Sequence, residues 1–220
     1  MKKFSKLSAS VLAAFTALVL VAGTTPVQAQ TTSLGVRGGV NFSGMTGDNA
    51  PNSEMKVGGN FGAFAEYSSA SMWGVTAEIN YMMKGTDIEE DNNTPVLFPN
   101  NTNVIKLNYL NIPVYGNLFF GTGKLRPKIF LGPSFNVLMQ ATATTESGDD
   151  IDLDDTIEGF ELAAVGGVGL HYQFTNENWA ILDVRYHWGI SDIHNDDNVE
   201  LTNQVLSVNL GFSFPVGNTY

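Results

Sequence analysis

The fold is indicated most clearly by residues 160–190, whose sequence is FELAAVGGVGLHYQFTNENWAILDVRYHWGI. Apolar or small residues occupy every second position from Phe160 to Phe174, and the same alternation returns from Ala180 to Ile190. A period of two is typical of a β-strand with one apolar and one polar face. We therefore expect two antiparallel strands. For their faces to agree, the connection between them must contain an odd number of residues, about three or five.

Each of these runs is long enough to cross a membrane. The first contains 15 residues, whereas the usual strand of a globular protein contains about 5–6. A transmembrane strand tilted by about 45° needs only about 9–11 residues to span the bilayer. Length and alternation together predict membrane-spanning β-structure.

The N-terminus has the features of a secretory signal peptide. Three lysines between positions 2 and 6 form a basic region, and an apolar segment follows over residues 11–22. A small-residue cleavage site at 27–29 ends this region. We therefore predict a signal peptide at residues 1–29 and a single exported domain at residues 30–220.

Composition narrows the expected compartment and partners. The sequence has no cysteine, so we expect no lipoprotein-type acylation, no disulfide framework and no thiolate metal site. After the signal peptide, no apolar run approaches the length of about 18 residues that a transmembrane helix needs. Once the signal-peptide lysines are removed, eight basic residues remain against 22 acidic ones. This excess of negative charge predicts that nucleic acid is not a partner.

The alternation recurs along the rest of the chain. We predict eight strands, at approximately 30–42, 57–68, 73–84, 104–120, 125–140, 160–174, 180–190 and 204–214. Short turns alternate with four long polar interruptions, at 43–56, 85–103, 141–159 and 191–203. This pattern predicts an all-β fold, an eight-stranded antiparallel transmembrane β-barrel. Pro113 and Pro133 lie inside predicted strands, where each is expected to mark a β-bulge.

The outward face of the predicted strands is apolar. Its aromatic residues form two bands, as expected at the two interfaces of a membrane. One band adjoins the short turns and consists of Tyr67, Trp73, Phe120, Phe174 and Phe214. The other adjoins the long loops and consists of Phe42, Tyr81, Phe160, Tyr186 and Trp188.

The inward face carries charges of both signs, on Arg37, Lys84, Arg126, Lys128, Arg185, Glu66, Glu78, Glu161 and Asp183. Eight strands leave an interior only just wide enough for side chains to fill. Opposite charges in that space should pair, so we expect a plugged lumen that does not conduct ions as an open channel. A soluble lipocalin-type barrel would place these charges outside, where they are too few for a surface in water.

The four long loops are strongly acidic. They contain 17 of the 22 acidic residues and a single base, Lys56. Because the exported N-terminus places the short turns in the periplasm, the acidic loops should be extracellular. The loop at 141–159 is so polar that we expect it to be mobile and not to fold on its own.

Three segments of the chain resemble a known family. They are Gly35–Asn41, Tyr109–Pro113 and Gly132–Ser134, and they are similar to segments of PorT-like outer-membrane β-barrels, the Bacteroidetes-type outer membrane protein β-barrel domain. The resemblance extends from Thr32 to Phe214. It implies an up-and-down meander of the OmpA/OmpX type in the outer membrane of a Gram-negative-type bacterium. Because its motifs are structural, it implies no activity.

The sharpest chemical pattern is the acidic segment 150–161. Read as a twelve-residue calcium loop, it has acids at positions 1, 3, 5, 9 and 12, but Asp155 stands where the sharp turn requires glycine. The flanking helices of such a site are also missing from the pattern. We therefore expect a solvated acidic loop whose weak divalent-cation ligands are Asp150, Asp152, Asp154 and Glu158.

Catalysis has little support in the sequence. His171, His187 and Asp183 are residues that a hydrolase could use, but no motif such as G-x-S-x-G accompanies them, and their parity points them into the lumen. We predict a non-enzymatic barrel without a cofactor and with a structural or surface-interaction role. The alternatives are a small pore and an outer-membrane lipid-modifying enzyme, which would need a polar catalytic cluster at the lipid-facing rim.

The expected partners follow from location and charge. A barrel in this membrane contacts outer-membrane lipid, and periplasmic chaperones and the barrel-assembly machinery are needed for its insertion. Through its acidic loops it is expected to interact with divalent cations, surface polysaccharide or a protein partner.

Overall fold

The chain forms nine β-strands within the residues that a computed structural model describes, which are 31–47, 53–69, 72–88, 102–175, 177–195 and 200–216. Their bounds are β1 Thr31–Thr46, β2 Ser53–Ser68, β3 Trp73–Ile88, β4 Thr102–Phe119, β5 Leu125–Thr145, β6 Asp150–Asp152, β7 Phe160–Gln173, β8 Trp179–Gly189 and β9 Thr202–Val216. The eight long strands correspond to the eight predicted ones, and the short β6 has no predicted counterpart. The predicted signal peptide, residues 1–29, lies outside the described residues.

The eight long strands close into an antiparallel barrel. Neighbouring long strands in the sequence pair with each other, and β1 pairs with β9, so that Val36 is opposite Phe212 at the closing seam. The short β6 pairs with β5 at the long-loop end of the barrel. We call this end extracellular and the short-turn end periplasmic, after the orientation predicted from the sequence. The predicted fold class is thereby confirmed. None of the described residues forms a helix that is long and apolar enough to span a membrane.

The alternation determines which side chains face the lumen. On β1, Arg37 and Asn41 are buried, whereas Val40 between them is 45% exposed and Val36 next to Arg37 is 55% exposed. On β9, Ser207 and other inward residues are buried, and Leu210 is 64% exposed. An apolar exterior around a polar interior is typical of a barrel whose outer surface contacts lipid.

The turn between β7 and β8 has the predicted parity. Gln173 pairs with Trp179, which leaves five residues in the connection, an odd number as the faces require. The β4–β5 connection begins one residue earlier than predicted, because β4 ends at Phe119. Gly121 in this connection has a φ of +81°, which glycine adopts without steric cost.

The prediction of a β-bulge at each proline within a strand is wrong. Pro133 pairs with Ala164 in an unbroken register along β5 and β7. Pro113 pairs with Ser134, and the register of β4 and β5 is the same on both sides of this pair. Proline removes one N–H donor but inserts no residue, so the strand loses a hydrogen bond and keeps its register.

The register of β4 and β5 shifts instead near the extracellular end. Asn108 pairs with Gln140 and Tyr109 pairs with Leu138, which leaves Met139 without an opposite residue. One extra residue in β5 reverses the facing of every residue beyond it. Gln140, which the sequence predicts to face the lumen, is therefore exposed.

Several strands continue beyond their predicted bounds at the loop end. β1 runs to Thr46, β3 to Ile88 and β5 to Thr145, although the sequence analysis predicts loop in these extensions. The barrel wall is therefore taller on the extracellular side than the outward apolar band requires.

Outward aromatic residues lie in contact near both ends of the barrel. The ring centroids of Tyr67 and Trp73 are 5.8 Å apart next to a short turn. Those of Tyr186 and Trp188 are 4.7 Å apart next to a long loop. These four residues belong to the two predicted bands, which flank the apolar exterior on both sides.

Candidate functional site in the lumen and at the barrel ends

Four charged side chains from three strands meet at the centre of the lumen, and we call them the central ion network. Nη1 of Arg37 lies 2.9 Å from Oε1 of Glu78 and 2.7 Å from Oδ2 of Asp183. Arg185 contacts the same two carboxylates at 3.1 and 2.8 Å. All four side chains are at most 2% exposed. The hydroxyl of Tyr115 also donates a hydrogen bond to Glu78.

Glycines on the neighbouring strand make room for this network. Gly167 pairs with Arg185, and Gly169 pairs with Asp183. A Cβ atom added to Gly169 would lie 2.3 Å from Oδ1 of Asp183, and one added to Gly167 would lie 2.9 Å from Cα of Arg185. These inward glycines therefore provide the space that the long charged side chains occupy.

A second ion pair lies on the periplasmic side of the central ion network. Nζ of Lys128 is 3.6 Å from Oε2 of Glu66 and 3.9 Å from Oδ1 of Asp183. Glu66 also accepts a hydrogen bond of 3.1 Å from the hydroxyl of Thr76, and Nδ1 of His171 lies 3.9 Å from its other oxygen. The charges of the lower lumen are thereby connected to those of the centre.

A layer of amide side chains separates the central ion network from the extracellular side. Asn111 donates hydrogen bonds of 2.7 Å to both Ser134 and Asn136, and Asn60 donates one of 2.6 Å to Asn41. All of these residues are buried. They fill the lumen at this level with groups that satisfy one another.

Lys84 and Glu161 form the uppermost ion pair of the lumen, at 2.8 Å. Nζ of Lys84 also lies 4.6 Å from the ring centroid of Tyr109, and Glu161 accepts a hydrogen bond of 3.1 Å from Asn203. Among the described residues, the predicted pairing is thus found for every inward charge except that of Arg126.

The two inward histidines do not form a catalytic arrangement with a serine among the described residues. Neither ring nitrogen of His187 has a hydrogen-bond partner there. His171 faces Glu66, and its ring packs edge-on against Phe119 with the centroids 5.3 Å apart. Both histidines are buried in the lumen, as predicted, and lie away from the lipid-facing rim.

An apolar cluster fills the extracellular end of the barrel, and we call it the cap cluster. It combines inward residues of the strands with residues of two loops and consists of Met45, Ile105, Leu107, Tyr109, Ala141, Ala143, Leu153, Ile157, Ile193 and Leu201. Burial of a leucine or isoleucine side chain stabilises a fold by about 1.5–3 kcal/mol. The loop at 141–159, which is not expected to fold on its own, has its sparse apolar residues buried by their neighbours in the barrel. Its mobility stays a prediction.

Backbone hydrogen bonds hold the two loops of the cap cluster in place. The N–H of Leu153 donates to the carbonyl of Ala141 at 3.0 Å, and that of Glu158 donates to Ile193 at 2.8 Å. The N–H of Ile193 in turn donates to Leu201 at 2.9 Å. Both loops are thereby tied to each other and to the barrel wall.

At the level of the cap cluster, inward residues become apolar and outward residues become polar, and we call this change the exchange of faces. Ile105 and Leu107 on β4 face the interior, while Lys106 between them faces outward. Lower on the same strand, Leu110 faces outward and Asn111 faces the interior. A lysine on the outward face belongs outside the hydrocarbon, so this exchange marks the outer limit of the membrane-embedded part.

Sequence reasoning missed the exchange of faces, although the chain carries a signal for it. Residues 105, 107 and 109 are apolar and alternate with polar ones. This phase is opposite to that of the apolar residues from Leu110 to Leu118. A reversal of phase within one strand predicts a barrel that passes from lipid into water.

Three of the four predicted cation ligands, Asp150, Asp152 and Asp154, accept hydrogen bonds from other groups in this fold. Asp150 accepts a hydrogen bond of 2.6 Å from Thr144 and lies 3.7 Å from Nζ of Lys106. Asp154 accepts the backbone N–H of Ala141 at 2.7 Å. Across the part of the chain that the structure describes, no three acidic or histidine side chains are placed to hold a metal ion. Divalent-cation binding through Asp150, Asp152, Asp154 and Glu158 stays a prediction.

A known protein family and several solved structures resemble this chain. The family model described as outer membrane protein beta-barrel domain matches residues 28–195. The crystal structure of Neisserial surface protein A has a TM-score of 0.51 and 14% sequence identity, and the match covers 83% of this chain and 97% of that chain. The outer membrane protein OprG from Pseudomonas aeruginosa has a TM-score of 0.48 and 13% identity, with 87% and 99% covered. No curated protein matches the sequence.

Proposed function

Since the chain belongs to the outer membrane protein β-barrel domain family, we propose that it is a non-enzymatic barrel whose closed lumen supports a role in surface interaction. The protein is located in the outer membrane of a Gram-negative bacterium. Three features support this role: the lipid-facing exterior, the filled interior and the folded extracellular end.

The observation that carries the proposal is the filling of the lumen at two levels. The central ion network has both arginines within 3.1 Å of carboxylates, and the cap cluster fills the space above with apolar side chains. An ion that crosses the barrel would have to separate buried ion pairs, which leaves charges uncompensated in an interior that water hardly reaches. It would also have to open an apolar plug, so open-channel conduction is not expected.

The extracellular end supports the second part of the proposal. The cap cluster buries residues of two acidic loops, and acids such as Asp149, Asp155 and Glu158 are exposed on the first of them. A surface that is ordered before binding loses less conformational entropy when a partner docks. We propose divalent cations, surface polysaccharide or a protein with a basic surface as the partners of this end.

We also propose that the chain is close to the PorT-like subgroup and that it is not a lipid-modifying enzyme. The PorT-like segments Gly35–Asn41, Tyr109–Pro113 and Gly132–Ser134 support a place near that subgroup of the family. A lipid-modifying enzyme is disfavoured because His171 and His187 are buried inside the barrel, where they do not reach lipid at the rim.

Reconstitution in planar bilayers tests the closed lumen. The purified mature protein is expected to insert without stable single-channel currents. As a matched test, the double variant Glu78→Ala/Arg185→Ala empties part of the central ion network, and the cap cluster should still prevent conduction. Stable, large unitary currents from the wild-type protein would contradict the proposal and favour a small pore.

Adhesion of cells that display the protein tests the surface role. We expect clumping or substrate adhesion to depend on the barrel and to fall when Asp149, Asp152, Asp155 and Glu158 are replaced by their amides. Lys124→Gln at a periplasmic turn is the control and should have no effect. Adhesion that is equal with and without the four acids would refute the role of the acidic end.

A further inference from the structure

A cavity opens at the periplasmic end of the lumen, opposite the cap cluster, and we call it the periplasmic vestibule. Its volume is about 460 Å³, which falls within the range of about 300–1,000 Å³ that small-molecule sites occupy. Its lining includes the apolar side chains of Phe119, Trp179 and Met72 and the hydroxyl groups of Ser33, Thr122 and Ser213. Short turns between strands form its rim.

Arg126 lines the vestibule. It is the one inward base that has no ion-pair partner among the described residues. The other four inward bases form ion pairs with the four inward acids. Arg126 forms no ion pair within the described ranges of the chain, and its Nε atom is buried without a hydrogen-bond partner there. The vestibule therefore contains a positive charge that is not paired with any carboxylate among the described residues.

Aromatic rings hold the guanidinium of Arg126 in place. Its Cζ atom lies 4.6 Å from the ring centroid of Phe119 and 5.9 Å from that of Trp179. Such cation–π contacts orient the guanidinium plane and still leave N–H donors at its edge. This planar set of donors matches the paired oxygens of a carboxylate or phosphate.

Two acidic residues, Glu66 and Glu177, also line the vestibule, but neither neutralises Arg126. Glu66 is engaged by Lys128 at 3.6 Å and by the hydroxyl of Thr76 at 3.1 Å. Glu177 lies on the connection between β7 and β8 and is exposed to solvent, where water screens its charge. Neither carboxylate therefore removes the attraction of Arg126 for an anion.

We propose that the periplasmic vestibule binds a small organic anion, whose carboxylate or phosphate contacts Arg126 and whose apolar part packs against Phe119 and Trp179. A soluble periplasmic anion and the headgroup of a phospholipid both offer this chemistry. The proposal goes beyond the surface role, because the vestibule lies at the opposite end of the barrel from the cap cluster.

Titration of the mature protein in a non-ionic detergent tests the proposal. Phenyl phosphate is the soluble probe and dihexanoylphosphatidylglycerol is the lipid probe, and heat released on binding gives the affinity of each. Phenol is the uncharged control ligand. Arg126→Gln removes the charge at nearly constant size, and Lys124→Gln removes an exposed charge just outside the vestibule.

We expect saturable binding of at least one anionic probe, with an affinity at least about tenfold lower in Arg126→Gln. Lys124→Gln should remain within about twofold of the wild type, since exposed charges contribute little. The probe that binds more tightly identifies the source of the anion as soluble or lipid. Equal affinity of Arg126→Gln and wild type, or no saturable binding of either probe, would overturn the proposal.

Fluorescence of Trp179 in a protein that keeps Arg126 tests the site independently of whether Arg126→Gln folds. In the background Trp73→Phe/Trp188→Phe, Trp179 is the remaining tryptophan, and its emission should shift as the anionic probe saturates. A heat-modifiability gel establishes that each protein is folded. Heat of binding that saturates without a change at Trp179 would place the anion elsewhere and refute the vestibule as its site.

Discussion

Arg37 on β1 and Asp183 on β8 are 146 positions apart in the sequence, and their side chains meet at 2.7 Å. β9 lies between their strands in the barrel wall, so the contact forms only when β1 pairs with β9 and the sheet closes. Each partner is at most 1% exposed. Closure of the barrel therefore completes the central ion network.

Arg185→Ala should lower the free energy of unfolding by about 3–5 kcal/mol, because Glu78 and Asp183 would each lose a buried cationic partner. Lys56→Ala should cost no more than about 1 kcal/mol, since its pair with Asp87, at 3.4 Å, is partly exposed to water. Urea unfolding of the protein in phosphatidylcholine vesicles gives both values. Equal losses would show that the central ion network does not stabilise the barrel.

Leu210→Arg should impair insertion, because Leu210 is 64% exposed at the middle of the outward face of β9. An arginine at mid-depth in the bilayer costs about 2–4 kcal/mol. Thr202→Arg is the matched control, since Thr202 begins the same strand on the same face beyond the exchange of faces. The yield of heat-modifiable barrel in vesicles checks the pair, and equal yields would mean that the outer limit of the membrane is misplaced.

Leu153→Ala should open the extracellular end to protease. Leu153 is 3% exposed in the cap cluster, and such a truncation costs about 2–5 kcal/mol. Protease added to intact cells should then cut between Thr142 and Glu158, while the wild-type segment and the exposed control Glu158→Ala resist. Rapid cleavage of the wild-type segment at this place would show that the cap cluster does not hold the loop.

Calcium should bind the acidic segment only weakly, with a Kd of about 0.1–1 mM as in extracellular calcium modules. We expect calcium to raise the thermal midpoint of the wild-type protein by a small amount. Replacement of Asp150, Asp152, Asp154 and Glu158 by their amides should abolish this increase. If the quadruple variant keeps the full calcium response, the ions bind elsewhere.

The facing of most residues could be read directly from the chain. The alternation around Val36, Arg37 and Leu210 correctly predicts which side chains contact lipid and which enter the lumen. This works because side chains of a β-strand point to opposite faces in turn, and that geometry is local. The parity of the turn between β7 and β8 follows from the same rule.

The prediction fails where a single residue or a distant neighbour decides the outcome. The extra residue at Met139 reverses the facing of Gln140, and nothing in the local pattern requires an insertion at that position. The prolines Pro113 and Pro133 carry a local signal for irregularity, yet their strands keep register because the neighbouring strands fix it.

The sequence by itself determined the class of fold, the lipid face and the set of inward charges, because a period of two and the polarity of each side chain are properties of neighbouring residues. Only the tertiary structure decided which charges pair, that Arg126 is left over at the periplasmic vestibule, and that Leu153 and Ile157 join strand residues in a buried cap cluster. These outcomes depend on register and on closure of the sheet, which bring together residues more than a hundred positions apart, and no local pattern in the chain encodes those distances.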